Sequence, residues 1–206
     1  MKIHKILFAA AAVLPLFCSV MSCTSNDKTS DAKDAMEVIF HRSSVRAYTD
    51  EPVSEEDVTA ILKAGMAAPS ALNYQPWSFV VVRDRETMQR IGEKVGRPGL
   101  VGKAPLLIVV CGKTTWERGG ETIPNPFWQQ DCSAVTQNIL LAVDYFGLGA
   151  VWNGCYPGED RAALVKSVLG LPEDVEALSV IIVGHPDGEP APKDKWDPER
   201  IHQEKW

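Results

Sequence analysis

The longest periodic stretch, from about Trp128 to Phe146, places Val135, Ile139, Leu140, Val143 and Phe146 at the 3.6-residue spacing of a helix lying on a core. Leu141 and Ala142 widen that stripe. A helix that is apolar over more than one face needs cover on more than one side. A chain that contains it must wrap further layers around it or bring a second molecule to it. Gly147 stands where a helix of this length is usually capped.

The rest of the 206 residues supplies such layers. With 45% hydrophobic and 23% charged residues the chain has a globular composition, enough for one to one-and-a-half domains. Ala35 to Arg42 reads as a short helix. Ser54 with Asp57 caps another, whose stripe is Val58, Ile61, Leu62 and Gly65. Residues 69–76 form a turn between Pro69 and Pro76, and Trp77 to Val82 a strand. Asp84 caps a helix running to about Val95, and Pro105 to Val110 is a fully apolar strand. Residues 112–126, with Gly119, Gly120, Pro124 and Pro126, read as a long loop. After the long helix come a short strand at Gly149 to Asn153, a helix at 158–169, a strand at Leu178 to Val183 and an aperiodic, proline-rich arm from 185 to 206. This order predicts an α+β sandwich around a mixed sheet.

The N-terminus reads differently. Lys2 and Lys5 precede an apolar run from Ile6 to Leu16, too short for a membrane span and broken by Pro15, as in an export signal. The following Val20-Met21-Ser22-Cys23 resembles the lipobox of bacterial lipoproteins. That resemblance implies a signal peptide over 1–22, a lipidated Cys23, a polar tether over 23–34 and the folded domain over 35–206. It also implies an exported, membrane-anchored protein of the bacterial envelope, on the outer membrane facing the periplasm. A plain secreted chain cleaved elsewhere is the alternative. The formal charge of −6 and the lack of a basic stripe argue against a nucleic-acid partner.

Cys111, Cys132 and Cys155 lack the spacing of a zinc or iron–sulfur site, and no metal is expected. Cys111 and Cys132 read as buried thiols. His185 and His202 read as solvated, and Asp131 and Asp144 on the long helix as interface or surface residues, with a buried network as the alternative. No nucleophile–base–acid set stands out, so no side chain is expected to be catalytic in itself.

Three segments carry ligand chemistry. His41-Arg42-Ser43-Ser44-Val45-Arg46 holds two guanidinium groups and two hydroxyls, a donor set for phosphate oxygens, although a solvated basic patch has the same composition. Ala68-Pro69-Ser70-Ala71-Leu72-Asn73-Tyr74-Gln75-Pro76-Trp77 gathers two amides and a hydroxyl on a proline-stiffened backbone, able to meet the edge of a heterocycle, although an ordinary capped turn has the same residues. Gly147-Leu148-Gly149-Ala150-Val151-Trp152-Asn153-Gly154 lets backbone approach a planar ligand but lacks the dinucleotide fingerprint.

Together these segments resemble the nitroreductase-like FMN-dependent flavoproteins, over about residues 35–206. The resemblance implies an intertwined homodimer with a long central helix and FMN in two interface clefts. Arg42 and Arg46 would hold the phosphate with Ser43 and Ser44. Pro69, Ser70 and Asn73, with Gln75 nearby, would line the flavin from the partner chain. The backbone of Trp152, Asn153 and Gly154 would lie beside the ring, and Lys193 or Lys195 near the phosphate. His41 departs from the family, where arginine is common. Trp116, Phe127 and Trp128 are candidate stacking contacts for a planar small-molecule acceptor. The implied activity is reduction of nitroaromatic or quinone-like acceptors by ping-pong transfer through flavin N5, with NAD(P)H or another reductant as donor. The alternatives are a non-catalytic envelope ligand-binding lipoprotein and a specialised flavin-fold enzyme such as a dehalogenase.

Overall fold

The computed structural model describes residues 34–96 and 99–206. The signal peptide, Cys23 and all of the tether but Asp34 lie outside the described residues. Asp34 itself belongs to the fold: its carboxylate accepts the Glu37 N–H at 2.7 Å and caps the first helix, α1 (Ala35–His41).

The order that follows is α2 (Glu55–Met66), β1 (Trp77–Val82), α3 (Arg85–Gly92), β2 (Leu106–Lys113), β3 (Thr115–Arg118), β4 (Glu121–Pro124), α4 (Trp128–Tyr145), β5 (Gly149–Gly154), α5 (Glu159–Leu169) and β6 (Val175–Gly184). Both sequence caps form: the Asp57 N–H donates to Ser54 Oγ at 3.0 Å and the Thr87 N–H to Asp84 Oδ2 at 2.8 Å. α3 stops at Gly92, short of the Val95 expected, although Val95 is buried.

β1, β2, β6 and β5 form one sheet in that order, every neighbouring pair antiparallel. Its one parallel element among the described residues is a bridge from Ser44 to Ala150 on the outer edge of β5. Period-two alternation sorts the central strands between two cores. Leu106, Ile108, Val110, Ile181 and Val183 face α2 and α4, whereas Leu107, Val109, Cys111, Val180 and Ile182 face α3 and α5. Helices thus cover both faces, which is why β2 reads as an unbroken apolar run and β6 ends in one at Val180–Val183.

α4 spends its stripe on two neighbours. Val135, Ile139, Leu140 and Val143 enter the core, while Leu141, Ala142 and Tyr145 line an apolar cavity of about 480 Å³ with Val38 and Ile39 of α1 and Ala60 and Ala64 of α2. At its end the Leu148 N–H reaches back to the Val143 carbonyl at 3.0 Å and Gly147 takes φ 72°, the glycine cap expected.

The 112–126 segment corrects its sequence reading. It is a β-hairpin, β3 paired with β4, whose two-residue tip Gly119-Gly120 has φ 66° and 86°. Positive φ at both tip residues is what tight hairpins require, and glycine meets it without steric cost. The arm from 185 is irregular apart from a short 3-10 turn at Pro198–Arg200. It pairs with the body at Tyr48–Pro186 and buries none of its own residues.

Candidate functional site

The bridge at Ser44 decides where the first ligand-binding segment lies. The Val45 N–H donates to the Ala150 carbonyl at 2.9 Å, so residues 44–45 run along the outer edge of β5. Gly149 permits the approach: a Cβ there would stand 2.7 Å from Val45 Cβ. From the other side the Tyr48 hydroxyl donates to the Val45 carbonyl at 2.6 Å. Burial pushes that hydroxyl's pKa up, against the opposing pull of Arg46, so it remains a donor.

Arg42, Ser43, Ser44 and Arg46 then line a cavity of about 210 Å³, closed on the other side by Ala191, Lys193 and Lys195 of the arm. Both lysine candidates face it. Across the described residues Arg83, Lys94, Lys113, Lys166 and Arg200 each sit against a carboxylate. Arg42, Arg46, Lys193 and Lys195 have no such partner among the described residues, as is true of several other cations such as Lys63 and Arg90, but these four share one cavity. Four cations and two serine hydroxyls thus surround one small cavity in a chain of net charge −6, a donor set whose chemistry suits an anion. His41 is not part of it: its Nδ1 lies 2.8 Å from Asp144 Oδ1.

Trp152, Asn153 and Gly154 continue β5 beyond the bridge, half-buried or exposed on a strand with no further strand outside it. The structure therefore brings the basic segment and the glycine-rich strand to one sheet edge.

The Pro69–Gln75 turn lines no part of that cavity. Its backbone is unusual: Leu72, Asn73 and Gln75 have φ of 52°, 56° and 51°. A non-glycine residue held left-handed costs about 1–2 kcal/mol, and three within four residues persist only where surrounding bonds fix them. The Gln75 N–H donates to Ser70 Oγ at 3.0 Å, the Gln75 amide to Asn73 Oδ1 at 3.2 Å, and the Ala71 N–H to Asp131 Oδ1 at 2.9 Å. The Glu117 N–H donates to the Tyr74 hydroxyl at 2.6 Å, which ties the turn to the hairpin. Pro69, Leu72, Asn73 and Gln75 are exposed.

Several side chains differ from their sequence readings. Trp116 and Trp128 are buried, the first edge-on to Tyr74 at 5.3 Å and the second to Tyr156 at 4.9 Å. Of the three stacking candidates only Phe127 offers an exposed ring. Asp131 and Asp144 are buried polar anchors rather than interface or surface residues, 5% and 6% exposed. His185 is half-buried, 3.8 Å from Glu51. Cys111, Cys132 and Cys155 are buried free thiols, each pushed up to about 12 by burial. The roles of Asp131 and Tyr74 had no local sequence signal, because their partners lie 60 and 43 positions away.

Comparison with known proteins agrees with this geometry. The model of the nitroreductase family matches residues 39–99 and 93–185. A protein of Archaeoglobus fulgidus, provisionally named NADH dehydrogenase/NAD(P)H nitroreductase, is 42% identical over 177 residues, covering 84% of this chain and 99% of its own. The crystal structure of a protein with the same provisional name from Parabacteroides distasonis is similar with a TM-score of 0.78 at 38% identity, covering 84% of this chain and 99% of that one. An FMN reductase (NAD(P)H) of Bacillus subtilis is 32% identical over 178 residues, 80% of this chain and 70% of that protein.

These matches correct the location expected from the leader. The Archaeoglobus fulgidus and Parabacteroides distasonis proteins align over 99% of their own length with 84% of this chain. No helix among the described residues is long and apolar enough to cross a membrane. The envelope assignment is withdrawn. The family match, the shared fold and the two site segments meeting at one sheet edge lead to a single assignment: this chain belongs to the nitroreductase family of FMN-dependent oxidoreductases.

Proposed function

We propose that the chain works as a homodimer that holds FMN by its phosphate in the Arg42–Lys195 cavity and reduces planar nitroaromatic or quinone-like acceptors with electrons from NAD(P)H. The observation that carries this reading is the cluster of four cations and two hydroxyls, whose cavity lining includes no carboxylate. A phosphate dianion needs that donor set, and the residues present fit it.

Each part of the chain has a task in this reading. Arg42 and Arg46 hold phosphate oxygens, with Ser43 and Ser44 donating beside them and Lys193 and Lys195 closing the cavity. The outer edge of β5 at Trp152–Gly154 lays backbone beside the ring, where its amides favour negative charge. The Pro69–Gln75 turn, exposed on this chain, serves the cleft of the partner. The apolar cavity between α1, α2 and α4 is where the second copy docks, and it takes up the surplus width of the α4 stripe. Phe127 stacks on the acceptor. When bound, FMN supplies reversible two-electron transfer at its ring. The protein sets its position and electrostatics.

The test is kinetic. If donor and acceptor use one stacking site in turn, double-reciprocal plots at several fixed acceptor concentrations are parallel. Protein photoreduced anaerobically without nicotinamide is expected to reduce menadione or a nitroaromatic in stopped flow. Inertness toward every quinone and nitro compound overturns the redox reading, whereas intersecting lines overturn only the shared site.

A further inference from the structure

Asp131 lies in the first turn of α4, 5% exposed, and has no place in the chemistry described so far. One carboxylate oxygen, Oδ1, accepts the Ala71 N–H at 2.9 Å. The other, Oδ2, is fully buried and has no hydrogen-bond donor among the described residues. A carboxylate is costly to bury for a single backbone bond. Leucine or isoleucine would fill the same place beside Cys132 and Val135 at no such cost. What Asp131 holds is the first amide of the turn in which Leu72, Asn73 and Gln75 are all left-handed.

The other bonds of this turn are internal or lie at its far end. Ser70 Oγ accepts the Gln75 N–H, the Ser70 carbonyl accepts the Asn73 N–H at 3.1 Å, and the Tyr74 hydroxyl meets the hairpin. The bond to Asp131 alone ties the start of the turn to a long core helix. Exposed turns with such backbone angles relax to ordinary ones when released.

We propose that Asp131 is a positioning residue, which anchors the Ala71–Gln75 turn to α4 and so keeps Asn73 and Gln75 in the conformation that receives flavin. The proposal rests on the reading of this turn as part of the FMN cleft. An acceptor oxygen is what the position requires, and a negative charge is not. Asparagine offers the same oxygen to the Ala71 N–H, whereas leucine keeps the branched shape at a larger volume and offers no acceptor.

The test uses Asp131→Asn and Asp131→Leu in the full-length protein, stripped of flavin and titrated with FMN and with riboflavin. Asp131→Asn is expected to bind both within about two-fold of wild type. Asp131→Leu is expected to bind both about ten-fold or more weakly, the usual consequence of leaving such an N–H without its acceptor. Equal losses mark an effect at the ring and ribityl chain, since a phosphate contact would spare riboflavin. Amide hydrogen exchange, measured without flavin, is expected to quicken across residues 71–75 in Asp131→Leu alone while the β2 and β6 amides stay protected. Unchanged flavin affinity in a folded Asp131→Leu, or losses as large in Asp131→Asn, overturns the role of Asp131. Failure of the wild-type chain to bind either flavin overturns the FMN reading itself, and the proposal with it.

Discussion

The two halves of the proposed site solve opposite problems. The basic cavity has ordinary backbone and unusual charge: Arg42, Arg46, Lys193 and Lys195 stand together without carboxylate partners among the described residues. The Pro69–Gln75 turn carries no charged side chain and has unusual backbone, three non-glycine residues at positive φ. One half stores electrostatic repulsion that an anion relieves, and the other stores conformational strain that fixes amides in place. Charge selects what enters and shape fixes how it lies. Affinity for the phosphate end and affinity for the ring end should therefore be separable by mutation.

Arg46→Ala gives the largest separation. A charge-assisted bond to phosphate contributes about 1.5–3 kcal/mol, which is about ten-fold to over a hundred-fold in Kd. FMN affinity is expected to fall by that amount while riboflavin affinity holds, as measured by fluorescence titration. Equal losses for the two ligands would remove Arg46 from the phosphate. Gly149→Ala acts on the cavity through its scaffold. The added methyl would sit 2.7 Å from Val45 and force the basic segment off β5. Stability is expected to fall by about 1–3 kcal/mol in denaturant unfolding, with FMN again losing more than riboflavin.

Leu72→Gly probes the other half with a smaller effect. Leu72 is 77% exposed at φ 52°, so glycine removes strain and little packing. The protein is expected to gain about 1 kcal/mol in unfolding free energy, while FMN and riboflavin weaken by the same few-fold factor as the turn loosens. A stabilised variant with unaltered binding would show that the strain has no part in recognition. The smallest effect on the comparison comes from alkali. Burial pushes the thiols of Cys111, Cys132 and Cys155 from their ordinary value of about 9 up to about 12. Unfolded thiols release protons above pH about 9 that the native core retains, so stability is full below that pH and declines as pH climbs toward about 12. Unfolding followed over this range should show the decline, with the ratio of FMN to riboflavin affinity nearly unchanged until the fold is lost.

Local chemistry was legible in the sequence. Ser54 and Asp84 announced their helices and the apolar run at 105–110 announced β2, while Lys193 and Lys195 came only from the family resemblance, and the fold sets them across one cavity from Arg42 and Arg46. What escaped was non-local or lay in the backbone. The antiparallel strand order depends on pairings across tens of residues, and nothing in Leu72 or Gln75 advertises a positive φ. Asp131 and Asp144 looked like polar residues for a surface or an interface because their partners, Ala71 and His41, are remote in sequence. The hairpin at 115–124 was legible and misread. Gly119-Gly120 between Trp116 and Ile123 is a turn signal, but the flanking prolines gave the segment the composition of a loop.

The seam between Ser44–Val45 and β5 has a consequence outside ligand binding. β5 is the last strand of its sheet, and an open strand edge is a template on which other chains add. The peptide that gathers the cations lies along that edge, through the bridge at Ser44–Ala150 and the bond from the Val45 N–H to the Ala150 carbonyl. It therefore guards solubility as well as shaping a cavity. Anything that lifts this peptide, whether bulk at Gly149 or mutual repulsion of the cations when no anion holds them, uncovers Ala150 and Val151 to neighbouring molecules. Self-association on warming is then the expected sign of a damaged cavity, and FMN, if bound there as proposed, is expected to suppress it.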